Sequence, residues 1–83
     1  MTKVVWAKDG LMFFLPGAEA ARAIQQLRDQ GFKRGMGSAD NGLYSPNWDR
    51  QMAERGDCKI NGVWEEGWWF NPSMLNYLTG FEE

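Results

Sequence analysis

Histidine is absent from the 83 residues. That removes the commonest general base and the commonest metal ligand. Cysteine occurs once, at Cys58, so no intramolecular disulfide can form. A nucleophilic role for Cys58 would need a base or cation that lowers its pKa, and Lys59 is thin support for one. Cys58 therefore reads as structural. Small secreted domains normally rely on disulfide staples, which makes a reducing cytoplasm the expected location.

Long apolar runs are missing too. Nothing approaches the ~18 residues needed to span a bilayer. The stretch "KVVWAKDGLMFFLPG" is too broken by charge and a turn to act as a signal peptide. Phosphate-loop signatures are also absent. "GFKRGMG" sets Lys33 and Arg34 among glycines, yet contains neither G-x-x-x-x-G-K-[ST] nor G-x-G-x-x-G. "SADNG" lacks the ligand spacing of a calcium-binding EF-hand and reads as a turn. No cofactor, metal or membrane partner is expected. Nine basic residues stand against 11 acidic ones, a net charge of −2 that gives nonspecific nucleic-acid binding no support.

Aliphatic residues are scarce, with six Leu, two Ile and three Val, and the core must be built otherwise. Five Trp, five Phe, two Tyr and five Met supply it. Aromatic rings bury about 150–250 Å² each, so a few can carry a small domain. The length fits one domain over residues 1–83.

Turn and cap signals divide the chain. Asp9-Gly10 between apolar runs predicts a hairpin over residues 3–15, with the Leu11–Leu15 strand covered on both faces. Ala20, Ala23, Ile24 and Leu27 share one face of a helix over 18–30, ended by Gly31 and Phe32 in a Schellman motif. Residues 32–36 and 43–45 are short strands or a glycine-rich loop. Ser45 as N-cap, Pro46 at N1 and Gly56 as C′ predict a helix over 45–56, with Trp48 and Met52 inward. Asn61-Gly62 predicts a type I′ hairpin pairing "DCKI" with "VWEEGWWF". Asn71 and Pro72 open a last helix to Thr79, with Met74, Leu75 and Leu78 buried and a frayed "EE" terminus. The fold class expected is α+β: an antiparallel sheet of two hairpins in ββα…αββα order, packed with two or three short helices.

The stretch "GVWEEGWWF" carries the functional signal. Strand alternation puts Trp64, Glu66, Trp68 and Phe70 on one face, and Val63, Glu65, Gly67 and Trp69 on the other. A carboxylate at Glu66 buried between two tryptophans would be costly unless paired. Either the strand breaks near Gly67 through a bulge, with Trp64 in the core and Trp68 or Trp69 turned outward beside the glutamates, or part of the aromatic set faces solvent. Exposed Trp beside charge is typical of protein-binding hot spots. Trp64, Glu65, Glu66, Trp68 and Trp69 are the candidate protein-binding residues, and Lys33 and Arg34 a candidate contact for phosphate or an acidic partner. No catalytic residue is assigned.

The leading expectation is a non-enzymatic protein-binding module, of the kind phages and other mobile elements use to occlude a host protein or nucleoprotein complex. The alternative is single-stranded nucleic-acid binding by sheet aromatics, which would weaken steeply with salt. A subunit of a larger assembly, or a small enzyme using scattered carboxylates, ranks third. The aromatic patch would also suit a homodimer interface.

Overall fold

A single α-helix lies against one face of a mixed-length antiparallel sheet. The computed structural model describes residues 1–83, the side chain of Ala39 apart. After a short β1 (Thr2–Lys3), β2 (Val5–Trp6) pairs with β3 (Phe13–Pro16) in antiparallel register. The reversal between them rests on Gly10 at φ +72° and on the Asp9 carboxylate, which accepts a hydrogen bond from the Leu11 N–H. Phe13, Phe14 and Leu15 are fully buried, so the strand is covered on both faces there. Leu11 lies outside that cover, 68% exposed in the turn.

Helix α1 (Gly17–Asp29) buries Ala20, Ala23, Ile24 and Leu27. Its end is a Schellman motif: the Phe32 N–H reaches Leu27 O and the Gly31 N–H reaches Arg28 O, both at 3.0 Å. Gly31 sits at φ +105°, where a side chain would be strained. The glycine-rich segment that follows is a hairpin, β4 (Lys33–Arg34) against β5 (Gly42–Tyr44).

Residues 45–56 form no helix. Ser45 does cap a turn, its hydroxyl accepting from the N–H groups of Asp49 and Arg50 at 3.1 Å. The turn ends there, and the chain runs on as β6 (Gln51–Ile60), which pairs with β5 on one side and β7 (Val63–Phe70) on the other. Helix propensity is worth only a few tenths of a kcal/mol per residue. A continuous ladder with core burial on its inner half outweighs it. Gly56, expected as a helix cap, is mid-strand, and glycine suits the position because the Trp69 indole stands 2.8 Å from where a Cβ would be. Met52 is the extra residue of a bulge: Leu43 opposes Ala53 while Tyr44 opposes Gln51. Met52 and Ala53 can thus both enter the core.

The C-terminal segment is a 3-10 helix over Pro72–Tyr77, shorter than the helix expected. Asn71 caps it through Ser73 N–H at 2.9 Å. Met74 is buried, while Leu75 and Leu78 are only partly so. The terminus does not fray at Glu82, since β8 (Phe81–Glu82) lies parallel to β1 and pairs Glu82 with Lys3. The six-stranded sheet has the order β2-β3-β7-β6-β5-β4. This is a small α+β domain, and the expected ββα…αββα order gives way to a strand-dominated one. Its core joins Phe13, Leu15, Leu43, Trp68 and Phe70 from the sheet to α1 and Met74. Among the described residues, no helix is long and apolar enough to cross a membrane.

Candidate functional site

Asn61 at φ 52° and Gly62 at φ 83° make the type I′ turn that the dipeptide predicts. Pairing then runs without a break from Ile60↔Val63 to Ala53↔Phe70. Only the base of this hairpin has neighbours. β3 flanks β7 from Gly67 onward, and β5 flanks β6 up to Glu54, with one further bond from Arg55 N–H to Asn41 O. Residues 56–66 therefore project as a two-stranded arm with both outer edges open.

The arm changes the assignment of the tryptophans. Trp68, 7% exposed, belongs to the core, with the guanidinium of Arg34 4.8 Å and that of Arg55 5.9 Å from its ring centroid. Trp69 is half-buried on the opposite face, tilted against Phe14 at 5.2 Å and donating from Nε1 to Asp57 O at 3.2 Å. Trp64, expected in the core, is 67% exposed. It lies too far along the arm for α1 to cover it. Substituting Trp68 would consequently damage the fold, whereas Trp64 is available to a partner.

Gly67 does not bulge. The ladder stays in register through Gly56↔Gly67. Glycine is required for another reason: a Cβ there would lie 2.1 Å from Leu15 O and 2.6 Å from the Phe14 ring. The Glu66 problem is solved by exposure, since Glu65 and Glu66 are both in solvent.

Register brings together residues that their spacing in the chain separates. Lys59 opposes Trp64, Asp57 opposes Glu66 and Cys58 opposes Glu65. Asp57 and Glu66 thus form a like-charge cross-strand pair on the Trp64 face, an arrangement that costs stability. Asp57 was not among the expected site residues, yet counting back from Asn61-Gly62 would have found it. A cleft of about 220 Å³ between the start of α1 and the base of the arm is lined by both carboxylates, Arg55 and Trp68. That is smaller than the roughly 300–1,000 Å³ of ordinary small-molecule pockets.

Lys33 and Arg34 lie away from the arm's tip, on the sheet-edge strand β4. Arg34 is held by a hydrogen bond from Nε to Asp40 O at 2.9 Å. With Arg28, Met36 and Trp48 these two line a groove of about 400 Å³. Met36 is 80% and Trp48 50% exposed, and Trp48 adopts φ +64° while packing on Tyr44 at 5.6 Å. Trp48 was expected to face inward from a helix; the turn at 45–50 leaves it outside. Among the described residues, no cluster of Cys, Asp and Glu could hold a metal ion. No protein-family model matches the chain, and neither a curated protein nor a solved structure shows significant similarity to it.

Proposed function

We propose that this chain is a non-enzymatic protein-binding module whose contact surface is the β6–β7 arm. The observation that carries the reading is Trp64, 67% exposed on a projecting ribbon. On its face stand Asp57 and Glu66, with Glu65 on the opposite face, all exposed, and Lys59 is the only cation of the distal arm. An exposed indole offers a large, rigid contact at low entropic cost, which is why Trp is enriched among binding hot spots. The surplus of carboxylates selects a partner with a basic surface, and complementary charge mainly raises the rate of encounter.

The role that fits is occlusion: a small cytoplasmic protein, such as a phage or other mobile element encodes, covers a basic patch on a larger host protein or nucleoprotein complex. The test is affinity capture from a bacterial lysate with the wild type and with Trp64→Ala. One stoichiometric partner lost in Trp64→Ala, and weakened by added salt, is the expected result. A partner retained in full by Trp64→Ala would overturn the assignment.

A second reading draws on the groove of Arg28, Lys33, Arg34 and Trp48, whose cations and exposed indole suit a single-stranded nucleic acid. It requires binding to mixed oligonucleotides that falls steeply with salt and is lost in Trp48→Ala.

A further inference from the structure

The outer edge of β6 is an unfinished sheet edge. Arg55 directs its N–H away from β7, to Asn41 O at 2.8 Å. Backbone groups alternate along a strand, so Asp57 and Lys59 also direct their N–H and C=O outward. No strand pairs with them, because β5 stops opposite Glu54; the Asp57 C=O accepts only a side-chain bond from Trp69 Nε1, and the Lys59 C=O only a long one from the Cys58 thiol.

We infer that this edge is a self-association surface, on which a second copy of the chain pairs β6 with β6 antiparallel about a two-fold axis at Cys58. Three features of the strand select that occupant and that register. The first is charge. Centring on Cys58 sets Asp57 of each copy opposite Lys59 of the other, two opposite-charge pairs in hydrogen-bonding positions. Moving the centre to Asp57 would oppose Asp57 to itself and Arg55 to Lys59. Centring on Lys59 would oppose Lys59 to itself. Like charges directly across a ladder are unfavourable, and centring on Gly56, which would oppose Arg55 to Asp57, needs the Arg55 N–H that Asn41 O already holds, so the Cys58 register is the complementary one left open.

The second feature is shape. The same register sets Ile60 opposite Gly56 of the other copy. Gly56 has no side chain, and the Trp69 indole lies across it, 2.8 Å from an ideal Cβ, with its Nε1 bonded to Asp57 O at the strand's outer edge. Ile60, half-buried in the single chain, gains an apolar ring to pack on. The third is the competing edge. On β7 an equivalent axis at Glu65 would face Glu65 to itself, and the first residue of α1, Gly17, approaches Glu66 O there, 3.9 Å from an ideal Cβ.

A two-fold axis normal to the sheet keeps both Trp64 rings on one face. The assembly is a four-stranded ribbon with two copies of the binding surface, and self-pairing leaves Trp64 itself free. The contact therefore stands apart from the choice of partner for Trp64.

The Cys58 thiols report the register. They meet at a non-hydrogen-bonded pair, where Cα atoms lie about 4.5 Å apart, within disulfide range. Diamide accepts two electrons and two protons from two such thiols, joining them as a disulfide. The experiment compares wild type, Lys59→Asp and the charge-swapped Asp57→Lys/Lys59→Asp by sedimentation velocity and by diamide cross-linking, with circular dichroism confirming the fold. A wild-type dimer that cross-links through Cys58, at least about tenfold weaker in Lys59→Asp and restored in the swap, is the expected result. A monomer at every concentration overturns the inference, as does a dimer indifferent to these substitutions or refractory to cross-linking. Trp64→Ala should dimerise like wild type, which separates failure here from failure of the partner-binding role.

Discussion

Asp57 and Glu66 face each other directly across the β6–β7 ladder, two exposed carboxylates in one cross-strand pair. Such a pair is a local cost in a two-stranded ribbon that has few contacts to spare. Neutralising it should stabilise the chain. Glu66→Gln is expected to raise the unfolding free energy by about 0.2–1 kcal/mol in urea titration. The same substitution should slow association with a basic partner and flatten its salt dependence. A stability gain with unchanged association would remove Glu66 from the contact surface.

The tryptophans should separate cleanly under substitution. Trp64→Ala is expected to move stability by no more than about 0.5 kcal/mol, as at other exposed sites. Trp68→Ala empties a core position and should cost about 3–5 kcal/mol. Thermal unfolding of the two variants checks this, and equal losses would mean that Trp64 is not free of the core.

Gly67→Ala tests the close approach of β3. A methyl group would meet the Leu15 carbonyl oxygen at 2.1 Å, and a backbone oxygen cannot move without breaking the β3–β7 ladder. The cost should exceed about 3 kcal/mol, at the top of the range for overpacking. Gly62→Ala is the natural contrast: no atom lies within 4 Å of its ideal Cβ, and only the strain of φ +83° opposes it. Its cost should stay near 1 kcal/mol. Denaturant midpoints for the pair would show whether contact or backbone strain dominates.

Ser45→Ala removes the acceptor for two backbone N–H groups and the donor to Asp49. The expected loss is about 1–2 kcal/mol, as for a helix N-cap, with faster hydrogen exchange at the Asp49 and Arg50 amides. Protected amides in the variant would mean that the turn holds without its cap.

Local signals carried much of this fold because their physics is local. Gly10, Gly31 and Asn61-Gly62 each occupy a backbone conformation that few other residues adopt, so the turns and the end of α1 were legible from residue type alone. The apolar spacing of Ala20, Ala23, Ile24 and Leu27 did the same for the helix face. The segment 45–56 carried a genuine capping signal at Ser45 and still became strand beyond its first turn. Its partners, β5 and β7, are chosen by pairing across the sheet, which no local window contains.

The candidate site divides along the same line. Alternation within "GVWEEGWWF" assigned its faces from sequence, including the sharing of one face by Trp64, Trp68 and Phe70. Which of the three would be covered depended on how far α1 and β3 extend along the arm, and that is a tertiary quantity. The glycine at 67 was marked by sequence as special, but its reason, the approach of Phe14 and Leu15 from a strand about 50 residues earlier, exists only once the sheet is assembled. Sequence thus determined the turns, the helix and the pairing register of the arm, through backbone conformations intrinsic to single residues. Tertiary structure alone decided that Trp68 is core and Trp64 is surface, because burial depends on which neighbours reach a residue.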